Sequence, residues 1–555
     1  MSKIVLDNFG GIAPAINSRK LADRYAQIAE NTYLKHGSLV AFPGTSNSAI
    51  VGMGSSVDWA QLYQGSFISQ TGGTAHWAKV PIPNDTLDRI VFSTSTGSPK
   101  IKSGGSTFLL GIPSPAPPTI TGVTAPSDPN GIDAETITYV ATFVDAWGAE
   151  GPPSDPAVLT DRSIDTDVTV SLPAGPTGNY NWNTGALIRL YRSNAGTSST
   201  SYQFANEYVY TLAGSTVTDD TVNALLGEVI PTTDWIGPPD DNTTLYPNGP
   251  MLGICNLPNG VMAGYAGSTV VLSEPFTYHA WPAQYRITVP DTIVGIVPIA
   301  QGLVVATDRK PYLLTGVDPS AMNLMEIDVN QSCESGRSLV DMGPYAIYAS
   351  PDGLVSVSGS SATLVTKNIF DRKQWQADWQ PGGLIAAYWE GYYVAFNPSL
   401  SKGFMFSIED GASDFVTLSQ SFNCLFFDST EDQLYVNSTG GILSGVRIFG
   451  RNFSTPISSL TWQSKDFVLA RPECMTACRV NYEKDIATFP ITVVVYGDGV
   501  QIASTTIQTK ENVYTKDQDW FRLPVTGKHR VYSVKIITSN EVTRVVLATS
   551  MQELE

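Results

Sequence analysis

The stretch Ala346-Ile-Tyr-Ala-Ser-Pro-Asp-Gly-Leu-Val-Ser-Val357 is two apolar runs of strand length split by a Pro-Asp-Gly turn. β-Branched and small apolar residues suit a pleated, half-buried strand, and Asp-Gly supplies the positive φ of a tight hairpin. One such hairpin is commonplace; its recurrence decides the fold. The same unit appears at Pro258–Tyr265, Ile299–Thr307, Leu384–Phe396 and Asn423–Val436. Its turn residues Gly260, Gly302, Gly353, Gly391 and Asp432 are 42, 51, 38 and 41 positions apart. A period of roughly 40–50 residues built of short strands predicts propeller blades over residues 245–450, with an irregular β-sandwich array as the competing reading. Residues 37–112 add strand-length runs, among them Ser38–Phe42, Asp88–Ser93 and Thr107–Ile112, enough for one or two further blades.

Outside these blades the punctuation changes. Pro113-Ser-Pro-Ala-Pro-Pro118 cannot donate to a ladder and reads as a linker. Beyond it, residues 119–235 alternate in the strand manner, with turns about every ten residues, which predicts a β-sandwich. Thr136–Trp147, followed by Gly148-Ala-Glu-Gly-Pro-Pro-Ser154, resembles the strand-then-turn pattern of fibronectin type III domains. A further β domain is expected over 452–555. It should contain a hairpin at Ile491–Ala503 around Gly497-Asp-Gly499, and another joining Val534–Thr538 to Val542–Ala548. At the other end, residues 1–36 form an arm. Leu21, Tyr25, Ile28, Ala29 and Tyr33 recur at helical spacing, so Asn17–His36 is the best helix candidate, with an extended arm as the competing reading. The fold class is therefore all-β: an irregular β-propeller, an inserted fibronectin III-like β-sandwich and a C-terminal β-sandwich domain.

Composition narrows the function. The 555 residues are 42% hydrophobic but only 15% charged, with a formal net charge of −18. Gripping nucleic acid needs lysine and arginine to displace phosphate counterions, and that footprint is missing. Such a chain suits a surface past which DNA slides without sticking, although acidity also serves solubility. The five cysteines, Cys255, Cys333, Cys424, Cys474 and Cys478, are odd in number and mostly scattered, and read as free thiols of a reducing cytoplasm. Cys474 and Cys478 could be half of a metal site, but they have no second pair. The opening Met1-Ser-Lys-Ile-Val-Leu-Asp lacks signal-peptide character, and no apolar run reaches the length of a membrane span.

The chemistry-bearing residues are sparse. His36, His76, His279 and His529 stand at no metal-ligand spacing, and no nucleophile elbow is present. Asp240-Asp241 and Glu431-Asp432 lie in turn-rich segments, and glycosidase chemistry needs carboxylates paired across a cleft. Ser350-Pro-Asp-Gly-Leu354 is a fragment of a sialidase-type turn. Gly10-Gly11 and Gly104-Gly105 open no phosphate loop. Tyr388-Trp389 and Tyr392-Tyr393 read as blade core before they read as a glycan platform. No catalytic, cofactor-binding or metal residue is assigned, no cofactor is expected, and the chain is expected not to be an enzyme.

One resemblance runs through both ends. Trp462-Gln-Ser-Lys465, Tyr496-Gly-Asp-Gly499, Phe521-Arg-Leu-Pro524 and Leu547-Ala-Thr-Ser-Met-Gln-Glu-Leu554 occur in that order, after an opening Asp7-Asn-Phe-Gly-Gly-Ile-Ala-Pro14. This set resembles the nozzle, or tail tubular, proteins of short-tailed (podovirus-type) bacteriophages. The resemblance implies a virion component made in the host cytoplasm: a homo-oligomeric ring, of six copies, below the portal and adaptor. Its channel would conduct the genome during DNA ejection without sequence-specific binding, and its outer faces would meet tail fibres or a tail plug or needle. The sandwich at 119–235 has no counterpart in that pattern. The main rival is a receptor- or glycan-binding β-propeller without catalysis; a carbohydrate-active enzyme is the third reading.

Overall fold

The computed structural model describes residues 3–554 apart from 35–36, 129–130, 196–199, 409–413, 438–444, 457, 484–489 and 508–516. It is an all-β structure, and among the described residues the α-helix Arg372–Trp379 is the only one. The chain divides into two compact units: residues 1–72, 299–313 and 325–555, and residues 73–298 and 314–324.

In the first unit the quoted stretch forms the hairpin it predicts. Ala346–Ser350 pairs antiparallel with Gly353–Ser358, and Ser361–Leu364 and Val340–Asp341 complete a four-stranded sheet. Ala346, Tyr348, Leu354, Val355 and Val357 are fully buried, so both faces of this blade are covered. The next blade runs Ile385–Trp389, Tyr392–Asn397, Lys402–Ser407 and Asp414–Leu418. Its first turn puts Glu390 at φ 46° and Gly391 at φ 85°, the left-handed pair that a two-residue hairpin of matching twist requires. A third is built from Leu425–Asp428, Gln433–Asn437 and Val446–Pro456, and the early strand Pro43–Asn47 supplies its fourth member. The propeller is irregular because its second blade runs on into another domain. Beyond Asp414–Leu418 the sheet continues through Ala26–Glu30 to Leu460–Ser464, His529–Thr538, Ile491–Gly497 and Val500–Ile507.

That extension is one sheet of the C-terminal sandwich. The other contains Lys3–Leu6, Glu541–Ala548, Ala477–Glu483 and Asp517–Arg522, in that spatial order. Two expectations are corrected here. The helix expected over Asn17–His36 is absent among the described residues: Ala26–Glu30 and Thr32–Tyr33 are strands. The helical spacing of Leu21, Tyr25 and Ile28 is real, but Ala26–Glu30 finds its ladder partner at Thr461–Ser464, and tertiary pairing overrides the local pattern. His36 itself lies outside the described residues. Nor do Val534–Thr538 and Val542–Ala548 form a hairpin. The first belongs to the sheet of Leu460–Ser464 and the second to the sheet of Lys3–Leu6, so the chain crosses between layers at Ser539-Asn540. The hairpin around Gly497-Asp-Gly499 does form, with Asp498 at φ 50° and Gly499 at φ 83°.

The second unit holds two four-stranded meanders and a sandwich. The meanders are Ala75–Lys79, Ile90–Thr94, Gly97–Ser103 and Ser106–Leu109, and Leu252–Asn256, Met262–Ala266, Thr269–Leu272 and Ile287–Thr288. The sandwich packs the sheet of Thr119–Val123, Val168–Ser171 and Thr216–Asp219 against that of Tyr139–Val144, Leu187–Ala195 and Thr200–Val209. The pair Ala134–Ile137 and Thr160–Ser163 stands beside them. Tyr139, Ala141, Phe143, Val168, Val170, Ile188 and Leu190 form its dry interior.

Candidate functional site

The residues that could carry chemistry are dispersed. Gly253 N–H donates to His76 Nδ1 at 3.2 Å, and burial holds that imidazole at about 4. His279 meets the Glu150 carbonyl through Nε2 at 2.9 Å and is likewise lowered to about 4, chiefly by burial. His529 lies 3.1 Å from Asp498 at the rim of the C-terminal domain. Asp240 and Asp241 are tied to separate partners: Asp241 accepts from Ser98 Oγ at 2.6 Å and Asp240 from Asn242 N–H at 3.0 Å. Glu431 and Asp432 sit in the hairpin turn after Leu425–Asp428, with Asp432 at φ 49°. Ser350 is consumed by hydrogen bonds to Gln331 and to the Gly353 carbonyl. Trp389 and Tyr393 are buried in the blade, as their alternation predicts. No group of His, Cys, Asp or Glu among the described residues could hold a metal ion. All five cysteines are free thiols.

What the structure does bring together is the set of end motifs. Lys3–Leu6 pairs with Val545–Ala548, so the chain's first strand lies on its last. Trp462 is fully buried; its Nε1 donates to the Gly10 carbonyl at 3.1 Å, and Phe9 meets its ring edge-on at 5.0 Å. Ser464 Oγ accepts from Val534 N–H at 2.9 Å and Lys465 Nζ reaches Asp23 at 2.8 Å. Gly11 needs its missing side chain: a Cβ there would stand 2.5 Å from the backbone N and O of Phe415. The Gly-Gly pair is thus a close-approach device that lets the arm lie against a blade, with Ile12 N–H donating to Phe415 O at 2.9 Å. Asp498 accepts from Arg530 and Val531 N–H, tying the Gly-Asp-Gly turn to the strand His529–Thr538. Leu523 is buried, and its N–H donates to Thr476 O at 2.8 Å. Leu554 is fully buried, while Glu553 accepts from Thr549 Oγ1 at 2.7 Å.

The sandwich concentrates buried charge that the sequence did not signal, because the partners are far apart along the chain. Arg192 and Asp219 are both fully buried and meet at 2.6 Å, with Tyr139 OH also donating to Asp219. Arg162 pairs with Glu135 at 2.6 Å. Glu150 accepts from Thr142 Oγ1 and Tyr191 OH on one oxygen and from Arg189 Nη1 on the other, each at 2.6 Å. Asp145 is the exception, since no cation is in direct contact with it. Its Oδ1 accepts from Trp147 and Ala149 N–H at 2.8 Å, and burial pushes its carboxyl up to about 6.

No family model and no curated protein matches the chain. Solved structures do. An exo-β-1,3-galactanase from Phanerochaete chrysosporium with galactose is 7% identical, matched over 90% of this chain and 100% of that one, with a TM-score of 0.18. A glycoside hydrolase family 43 arabinoxylan arabinofuranohydrolase from Bacillus subtilis is 10% identical over 98% and 99% of the two chains, with a TM-score of 0.17. A family 35 carbohydrate-binding module from an environmental isolate is 14% identical, matched over 16% of this chain and 64% of the module, with a TM-score of 0.13. One expectation is corrected on these matches. The chain was expected not to be an enzyme, yet the structures it matches include two glycoside hydrolases, and that exclusion is withdrawn. Its weakness is physical: carboxylates that cooperate across a cleft can come from distant strands, which spacing along a sequence does not show. At TM-scores this low, the likeness assigns this chain no reaction, substrate or catalytic residue.

Proposed function

We propose that this chain is the nozzle subunit of a short-tailed bacteriophage tail, a virion component that closes into a ring below the portal and adaptor and conducts the genome during ejection. The observation that carries this reading is the convergence of the nozzle-like segments. Asp7–Pro14, Trp462–Lys465, Tyr496–Gly499, Phe521–Pro524 and Leu547–Leu554 belong to the same compact unit. Trp462 joins the first two directly, and the strand Lys3–Leu6 lies against the last. A chance resemblance scattered over surface turns has no reason to gather into one packed module in which each motif contributes a buried or hydrogen-bonded residue. The net charge of −18 supports the same reading, since an acidic conduit repels the phosphate backbone instead of holding it. Six copies would close the ring by repeating one heterologous contact.

The test is the mass of the purified chain, alone and mixed with its adaptor ring, by light scattering and negative-stain microscopy. A six-fold ring, formed alone or on the adaptor, supports the nozzle reading. A chain that stays monomeric and never docks overturns it in favour of a receptor- or glycan-binding propeller.

A further inference from the structure

The inserted sandwich carries a half-open cavity of about 340 Å³. Its lining includes Glu150, Arg189, Tyr191, Phe204, Glu228 and Pro231. The volume lies at the small end of the range for ligand pockets, which pair apolar walls with a few fixed polar groups. The wall is aromatic: Phe204 is partly exposed and is braced edge-on by the buried ring of Tyr191 at 5.8 Å. The polar groups are held in place. Glu150 is buried and fixed by Thr142, Tyr191 and Arg189, while Arg189 is anchored between Glu150 at 2.6 Å and Glu207 at 3.4 Å. The Arg189 side chain stays 34% exposed, and Glu228 stands exposed at the mouth.

We infer that this cavity is a binding site for a neutral sugar at the end of a glycan. The charge pattern selects that class. A guanidinium faces the cavity together with two carboxylates, so an anionic ligand meets Glu228 and a cationic one meets Arg189. A polyol presents hydroxyls that both donate and accept and is suited to both, while its apolar ring face lies on Phe204. The size fits a short glycan end and excludes a long chain. The site belongs to the segment for which the nozzle resemblance supplies no role, and it does not depend on ring formation.

The full chain is titrated with the methyl glycosides of galactose, glucose, mannose and N-acetylglucosamine to tens of millimolar, read by saturation-transfer NMR. Lysine and methyl phosphate, each with carbon-bound protons to read, serve as charged probes. At least one glycoside should saturate. Phe204→Ala and Arg189→Gln should each weaken it by about tenfold, the scale of one lost ring contact or charged hydrogen bond. Val229→Trp changes an exposed residue at the same cavity and should block binding without disturbing the core, which separates loss of the site from loss of the fold. Saturation by none of the four glycosides, binding undiminished in all three variants, or saturation by lysine or methyl phosphate instead would each overturn the assignment.

Discussion

Replacing Gly11 by alanine should undock the N-terminal arm. The added Cβ would stand 2.5 Å from Phe415 N and O and 3.0 Å from Phe415 C, against 3.4–4 Å for an ordinary contact. All three neighbours are backbone, so relief requires the two chain segments to part by roughly 1 Å. Ile12 N–H···O Phe415, now 2.9 Å, and Gly11 N–H···Oδ1 Asp414, now 3.2 Å, would then exceed hydrogen-bonding distance. Overpacking costs about 1–3 kcal/mol and each lost hydrogen bond about 1 kcal/mol, giving roughly 3–5 kcal/mol in all. At about 1.4 kcal/mol per tenfold, the undocked population rises a hundredfold or more. Trypsin cleavage at the exposed Arg19-Lys20 reads that population directly when opening is fast. Gly105→Ala is the internal control: that glycine belongs to another Gly-Gly pair, Gly104-Gly105, and a Cβ there meets nothing within 4 Å. If Gly11→Ala is cleaved no faster than Gly105→Ala and melts at the same temperature, the close-approach reasoning is wrong.

Three further outcomes follow from the packing. Arg192→Ala should destabilise the sandwich by about 3–5 kcal/mol in a thermal melt, because Asp219 is left buried and unpaired, whereas replacing both by leucine should recover much of the loss. Asn437→Ala should cost about 2–4 kcal/mol by denaturant titration, since this buried amide donates to Val57 O and Gly54 O and accepts from Asn423 and Cys424 N–H. Asp145 and the histidines His76 and His279 pull in opposite directions with pH. An Asp145 raised to about 6 contributes stability that is full below 3.8 and lost as pH rises through 6; His76 and His279, lowered to about 4, contribute stability present above 6.5 and lost as pH falls toward 4. Asp145→Asn keeps the hydrogen-bond acceptor and removes only the titration. Wild type should therefore gain about 1–3 kcal/mol relative to the variant between pH 7 and pH 4.5, measured by urea unfolding across that range.

The hairpins were legible because each is a local event. Glu390-Gly391 in a blade and Asp498-Gly499 in the C-terminal domain announce their hairpins within a few residues, and the strands on either side pair with each other. The errors arose where the partner lies far away. Val534–Thr538 and Val542–Ala548 carry every local sign of a hairpin, but their ladders run to strands near residues 463, 495, 5 and 480, in two different sheets. The arm's helical spacing failed for the same reason, as its ladder partner lies more than 400 positions downstream. The sandwich cavity was invisible because Glu150, Arg189, Phe204 and Glu228 sit in four separate segments, and nothing in any one of them signals the others.

The pairing of Lys3–Leu6 with Val545–Ala548 also sets a clock. At about 5–20 residues per second, the stretch from Lys3 to Ala548 takes roughly 30–110 s to make. For that time the strand Lys3–Leu6 has emerged without the residues it pairs with. A nascent chain cut short before Val545 would therefore keep an open strand edge at Lys3–Leu6, available to other chains. Emergence of Val545–Ala548 is thereby the event that closes that edge.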